Sequence, residues 1–252
     1  MHLRVTFCRP SLVTRLQLAS AFPCLRPASA EQNFKYPITK MTTIGIAGLS
    51  GRLGFRVAQR ILQRPNTKIH GFCRSASRID ESLRRDPNVT ITEGDAFDLR
   101  AVRTALRGCE AVVCTYLGRF DVMIDAQKVL IDACIAENVP RYIASDYTLD
   151  YTKIGALDIP SKEPMHRIVD YLQGKPVKGV HVMIGAFVET FWTFLGVWRP
   201  KEYSMIFWGD GTEKWDFTTY DNCAEYVAEV ALDRSATGFL RCTSPYQRAF
   251  LT

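Results

Sequence analysis

Along this 252-residue chain, stretches of continuous apolar character alternate with stretches in which apolar residues recur every three to four positions. Residues 43–47 are a short β-branched run that predicts a buried strand, and from Arg52 onward Leu53, Val57, Ile61 and Leu62 fall at helical spacing. The exchange then repeats. Strands are predicted at 68–72, 89–93, 111–116, 141–144 and 180–184. Between them lie a helix at 98–106, with Asp98 as N-cap and Gly108 as its stop, and a helix at 121–138 closed by Pro140. A further helix is predicted at 162–173. Beyond the sixth strand, Phe187, Phe191, Phe194 and Trp198 follow one another at steps of four, three and four, a stripe that suits either core or the lining of a pocket. Residues 203–208 and 214–218 read as strands on either side of the turn Gly209-Asp210-Gly211, and Asp221 caps a last helix that runs to Leu232.

Strands that alternate with helices make right-handed βαβ units and a parallel sheet covered on both faces. Residues 41–252 are enough for one such domain, which buries roughly 70% of the surface of its unfolded chain. Sheets of this kind bind ligands beyond the carboxyl ends of their strands, where the strand order reverses. The expected site therefore includes residues 48–54, Arg74, Asp95, 115–118 with Thr115 at their start, and 145–147 with Ser145 at theirs.

The first strand-to-helix turn is the most informative stretch. It places Gly48, Gly51 and Gly54 at three-residue spacing, with Ser50, Arg52 and Leu53 among them. Glycines there accept positive φ and let a ligand approach bare backbone, while the start of the helix offers unpaired N–H groups and the positive end of its dipole. Those properties make a pyrophosphate cradle, and with the βαβ context they define a Rossmann-type, doubly wound α/β fold. Twenty residues past Gly54, at the end of the second strand, stand Arg74 and, four further on, Arg78. An acidic residue at this turn takes the ribose 2′-hydroxyl of NAD, whereas a basic one accommodates a 2′-phosphate, so Arg74 points to NADP.

The net charge is +6, and residues 1–40 carry +5 of it, because Glu31 is their only acid. The folded part is thus nearly neutral, and no nucleic-acid partner is expected. The Arg-rich, acid-poor extension at 1–40 has the composition of a mitochondrial transit peptide; equally, Met41 suits a functional start that leaves a cytoplasmic protein, and on both readings the extension lies outside the fold. No apolar stretch approaches the roughly 18 residues of a membrane span, so no membrane partner is expected. Eight cysteines without a C-x-x-C pair read as reduced thiols, and four scattered histidines suggest no metal site.

The ordered pieces "GLSGRLG", "CRSASR", "EGDAFDLRAVRTALRGCEAVVCT", "VPRYIASDYTLD", "SKEPMHRIVDYL", "GVHVMIGAFVETF" and "WGDGTEKWDFTTYDNCAEYVAEVALD" resemble the NmrA-like and isoflavone reductase-like branch of the atypical short-chain dehydrogenases. The resemblance covers nearly everything from 43 to 233. It implies that the glycine loop and Arg74 hold NADPH, and that Lys162 matches a lysine that contacts the nicotinamide ribose and assists proton transfer. Read from the residues alone, Lys162 is also an ordinary helix-surface lysine next to Ser161 as N-cap. Two departures stand out. Where reductases of this family read Pro-Ser-Glu-Phe-Gly, this chain has Ala144-Ser145-Asp146-Tyr147-Thr148, and family members continue past the point reached by Thr252, which implies a small, truncated substrate region over 186–252.

A tyrosine and lysine four apart on one helical face would give a different chemistry. Tyr36 with Lys40 precedes the first strand, and Tyr171 with Lys175 is interrupted by Gly174, a helix stop. Two functions follow from the resemblance. One is an NADPH-dependent reductase of a small aromatic or polycyclic molecule; the other is a dinucleotide-binding redox sensor that reports to a protein partner.

Overall fold

The structure is a computed structural model that describes residues 4–8, 40–155, 158–194, 196–208 and 213–242. With Arg4–Cys8 counted as β1, the central sheet comprises β2 (Thr42–Ala47), β3 (Thr67–Cys73), β4 (Val89–Glu93), β5 (Ala111–Cys114), β6 (Arg141–Ile143), β7 (Lys178–Met183) and β12 (Gly238–Arg241). Every pairing is parallel, in the spatial order β12-β7-β6-β5-β2-β3-β4. The chain builds outward from β2 to β4, returns to the opposite side of β2 with β5, and builds outward again. The order reverses between β2 and β5, which is the predicted doubly wound topology.

The period of two in the strands sorts side chains onto two faces. Ile44, Ile46, Val180 and Val182 point at α1 (Arg52–Leu62) and α7 (Tyr220–Leu232) and pack with Val57, Ile61, Val227 and Ala231. On the other face Val112, Cys114 and Tyr142 meet α3 (Leu99–Leu106), α4 (Gln127–Ala136) and α5 (Glu163–Leu172) through Leu106, Leu130 and Ile168. Each such aliphatic side chain, fully buried, contributes about 1.5–3 kcal/mol. Four-residue spacing also aligns α1 with α7. Arg56, Arg60 and Arg64 face Asp221, Glu225 and Glu229 as a ladder of ion pairs. The more exposed Arg56 and Arg60 pairs add at most about 1 kcal/mol each, so they set the helices' register more than their stability.

One buried cation does more. Arg141 is 3% exposed, and its guanidinium donates to the carbonyls of Val230 (2.9 Å), Ala231 (2.7 Å) and Asp233 (2.8 Å), satisfying the C-terminal end of α7 from inside the sheet.

Several elements differ from the expectations. The last strand of the sheet, β12, was not anticipated, because Gly238–Arg241 is short and alternates half-buried with exposed positions at a sheet edge. The helix after β5 opens with a π-helical turn over Val122–Ala126 before α4 begins. The N-cap of α7 is Thr219, whose hydroxyl accepts from Asn222 N–H at 3.1 Å; Asp221 lies inside the first turn, where its charge suits the helix dipole. A short α2 (Glu81–Arg84) follows β3.

The aromatic stripe does not form one helical face. Phe187 belongs to β8 (Ala186–Phe187), Phe191 and Phe194 to the seven-residue α6 (Val188–Phe194), and Trp198 to β9 (Trp198–Arg199). Phe191 is 2% exposed and Phe194 78%. The strands expected at 203–208 and 214–218 are β10 (Ser204–Trp208) and β11 (Phe217–Thr218), but they do not pair with each other: β11 pairs with β8, and β10 with β9 and β1. The Gly209-Asp210-Gly211 turn lies outside the described residues. The parallel pairing of β1 with β10 also means that Arg4–Cys8 joins the fold, contrary to the expectation that all of 1–40 lies outside it.

Candidate functional site

At the reversal between β2 and β5 the chain leaves β2 through Gly48, whose φ of +89° suits glycine. Gly51 N–H donates to Gly48 O at 2.8 Å, closing the turn, and Thr115, just after β5, donates its hydroxyl to Ala47 O (2.9 Å) and Gly48 O (3.2 Å). Gly54 lies against this arch: a Cβ there would stand 2.4 Å from Gly48 O and 2.8 Å from Thr115 Oγ1. Gly51 is the N-cap of α1 and supplies no side-chain acceptor to the first turn, which contains no acid. The start of an eleven-residue helix therefore presents its N–H groups and dipole to a ligand.

A cavity of about 300 Å³ opens there, lined by Leu49, Ser50, Gly51, Arg52, Phe55, Arg78, Ile79 and Asp80. Glycines where side chains would collide, bare helix N–H groups and two guanidiniums fit a dinucleotide's phosphates. Of the two basic residues expected at the turn after β3, Arg78 lines this cavity, whereas Arg74 directly follows β3 with its side chain exposed. Two acids missed in the sequence also meet this turn, Asp80 within it and Glu93 from the end of β4. Asp80 lines the cavity while it caps α2 through Ser82 N–H, and its carboxyl is held below the usual range chiefly by Ser82; Glu93 accepts the Ala76 N–H. Asp95 is exposed and accepts Phe97 N–H at 2.9 Å, so it shapes the loop after β4.

On the far side of the reversal, residues 144–148 continue from β6 along β7. Asp146 N–H donates to Ala144 O, Tyr147 N–H to Val182 O, and Ile184 and Gly185 N–H both donate to Thr148 O. Tyr147 takes φ +39°, a left-handed conformation rare for an aromatic residue. Its hydroxyl, 2.9 Å from Cys114 O, helps to pin it. Strain of that kind persists only where the surroundings over-determine it, and it collects at functional sites. Ser145 is 4% exposed and fully engaged: its hydroxyl donates to Tyr116 O (2.6 Å) and its N–H to Gln127 Oε1 (3.1 Å). Gln127, buried and also unforeseen, accepts from Tyr142 OH at 2.8 Å as well. Ser145 and Tyr147 thus tie the end of β6 to the end of β5, beside Thr115 and the glycine arch.

The kink turns Asp146 toward the α5 side of the sheet. Its Oδ2 accepts from His181 Nδ1–H at 2.6 Å and from Tyr151 OH at 2.8 Å. Lys162 ends a 3₁₀ turn, Pro160–Lys162, and occupies the N-cap position of α5 without capping it. Its Nζ donates to Thr148 Oγ1 at 2.6 Å. Burial pushes the ammonium below the ordinary lysine range, and Asp146 opposes that shift. The solvated surface lysine allowed by the sequence is not what the fold builds. Tyr171 and Lys175 lie elsewhere. Tyr171 OH donates to Asp132 at 2.8 Å and is pushed up to about 12 by desolvation and that carboxylate, while Lys175 Nζ sits 4.0 Å from the centre of the Tyr171 ring. A lysine over the ring face does not activate the phenol, and Gly174, at φ +70°, ends the helix as expected.

A parallel sheet whose order reverses at a glycine arch, with a helix N-terminus aimed at the reversal, defines a dinucleotide-binding Rossmann protein. A family profile described as NAD(P)H-binding matches residues 48–175, and the chain belongs to this family. It is 28% identical over 152 residues to an isoflavone reductase of Cicer arietinum, covering 58% of this chain and 46% of that one. It is also 23% identical over 217 residues to pinoresinol reductase 1 of Arabidopsis thaliana, covering 77% and 66%. The chain spans about half the length of the first of these relatives. Among solved structures it is similar to an isoflavone reductase, with TM-score 0.66 at 18% identity and coverage of 83% of this chain and 72% of that one. It is similar also to AtPrR2 with NADP+ and (+)pinoresinol, with TM-score 0.65 at 20% identity and coverage of 79% and 69%. These structural likenesses establish the fold. Among the described residues no helix is long and apolar enough to cross a membrane.

Proposed function

We propose that this protein is an NADPH-dependent reductase of a small aromatic or polycyclic metabolite, with Lys162 as its proton-handling residue. The observation that carries the reading is the convergence, at one end of the sheet, of the glycine arch after β2 and a half-buried lysine beyond β6 whose ammonium is held by Thr148. Support for the substrate class comes from the relatives, whose names are those of isoflavone and pinoresinol reductases. Preference for NADPH is supported by the guanidiniums of Arg74 and Arg78 at the turn after β3.

In this reading Gly48, Ser50, Gly51, Arg52, Leu53 and Gly54 receive the pyrophosphate on backbone N–H groups, and Thr115 keeps the arch closed. Asp95 and Ser145 support the loops that border the dinucleotide. Bound NADPH supplies a hydride. Lys162 Nζ holds a proton that can pass to the substrate oxygen on which negative charge develops, and its lowered affinity for that proton suits a donor working near neutral pH.

The test is NADPH consumption against a panel of aromatic ketones, enones and benzylic ethers, run in parallel with Lys162→Met. Turnover of at least one compound that is lost in the variant supports the reading. Tight NADPH binding with no turnover across the panel, together with cofactor-dependent capture of a protein partner, would replace it with the sensor.

A further inference from the structure

The Thr148 hydroxyl receives Lys162 Nζ at 2.6 Å, at the point where the chain leaves β6 to run beside the end of β7. We propose that Thr148 is the positioning residue that aims Lys162, its hydroxyl held in place by the backbone hydrogen bonds that fix Thr148 against the end of β7. The inference rests on the reading of Lys162 given above and adds the group that sets its direction and its proton affinity.

Three observations carry it. Thr148 is 9% exposed, and its carbonyl accepts two N–H groups from the end of β7, so the Oγ1 that receives Lys162 Nζ is fixed by the sheet. A four-carbon amine on a short 3₁₀ turn would otherwise sample several rotamers; one short charge-assisted bond selects one. Asp146 is 5% exposed and both recorded donors, Tyr151 OH and His181 Nδ1–H, reach it on Oδ2. Its charge is therefore held in place by the fold, and acts on Lys162 through a poorly screened interior.

The other charged or titratable groups on the surrounding elements are Tyr151 and Asp150 after β6, Lys178 and His181 on β7, Lys153 and Asp158 in the loop before α5, and Glu163, His166, Arg167, Asp170 and Tyr171 on α5. Asp150 is engaged by Arg241, Asp158 by the Gly155 N–H, and Glu163 by Arg167. His166 Nε2 is buried with no hydrogen-bond partner. Asp146, rather than any of these, is the acid whose field raises the proton affinity of Lys162 against the effect of burial.

Competitive labelling of the full chain with acetic anhydride across a pH series, read on the Lys162 peptide by mass spectrometry, reports the proton affinity of this amine without a substrate. Exposed Lys201 is the internal reference. In the wild type Lys162 becomes reactive at lower pH than Lys201. Thr148→Val, which removes the hydroxyl and keeps the shape, moves the Lys162 midpoint lower still, and Thr148→Ser restores it. Asp146→Asn lowers it further by about one unit, the usual size of a lost opposite charge nearby. Because Asp146 also holds His181 and Tyr151, Thr148→Val carries the test if Asp146→Asn does not fold. An identical Lys162 midpoint in the wild type and Thr148→Val overturns the proposal. Once a substrate is in hand, Thr148→Val lowers kcat with little change in the NADPH dissociation constant, and the serine variant recovers it. If the titration behaves as expected while Lys162→Met leaves turnover intact, the positioning stands and the catalytic reading of Lys162 falls.

Discussion

Asp146 Oδ2 lies 2.6 Å from His181 Nδ1, and neither residue exposes more than 5% of its surface, so a carboxylate and an imidazole share the interior of this domain with Tyr151 as the third member. A buried ionic group survives there only because each partner answers the other's desolvation. His181 also stacks on Phe239 of β12, with ring centroids 4.8 Å apart, so the pair reaches the sheet's last strand as well as the site.

Replacing one member is expected to cost more than replacing both. His181→Phe leaves Asp146 buried with a single donor and should lose about 3–5 kcal/mol in urea unfolding. The double variant Asp146→Asn/His181→Phe should recover at least about 1 kcal/mol of that loss. Strictly additive effects would mean that the two side chains are not coupled.

Dinucleotide preference should follow the two arginines of the turn after β3. NADPH is expected to bind more tightly than NADH, and Arg74→Ala or Arg78→Ala should narrow the ratio by about 10- to 100-fold, the size of one charge-assisted contact. Titration of both cofactors measures this. Equal affinities in the wild type would transfer the role of that turn to NAD, with Asp80 or Glu93 the acids present to take the ribose.

Gly54→Ala places a methyl group against Gly48 O and Thr115 Oγ1, and the arch must open to admit it. Overpacking of that size costs about 1–3 kcal/mol, so the melting temperature should fall and NADPH affinity with it by tenfold or more. Unchanged affinity would show that the dinucleotide does not use this turn.

The Tyr171 and Lys175 pair gives an internal control for the chemistry. Tyr171→Phe removes a hydrogen bond to Asp132 and should leave turnover within a factor of about two, whereas Lys162→Met should reduce it by roughly 10²–10⁴. The reverse result would move the reaction to the α4–α5 surface.

Acid should release the last strand of the sheet first. Burial pushes the Asp150 carboxyl up, but the Thr152 hydroxyl and Arg241 of β12 outweigh it and hold it below the ordinary range. A depressed folded-state pKa contributes stability that is present above the unfolded value of about 4 and is lost as pH falls through the folded one. The wild type should therefore lose its margin over Asp150→Asn as pH is lowered from about 5 to 3, measured by thermal melts. A margin that persists at the acid end would assign the stabilisation to packing.

The alternation of the main strands and helices from 42 to 183, the glycine arch and the basic turn after β3 were legible in the sequence, because each depends on local periodicity or on a residue's own backbone freedom. The three glycines announce a close approach before any partner is known, and the apolar runs of β2 and β5 can only be buried. What the sequence could not express was direction. The same Lys162 reads as a solvated helix residue until β6 and β7 bring Thr148 beneath it, and Asp146, His181 and Tyr151, scattered over 35 positions, meet only because two parallel strands and a kink at Tyr147 turn them to one side of the sheet. Arg141 and Gln127 look like ordinary polar residues in the chain and become buried organisers only once α7 and the loop after β6 close over them. Local rules decided which elements form; long-range pairing across the sheet decided which side chains share a low-dielectric space, and that sharing sets their chemistry.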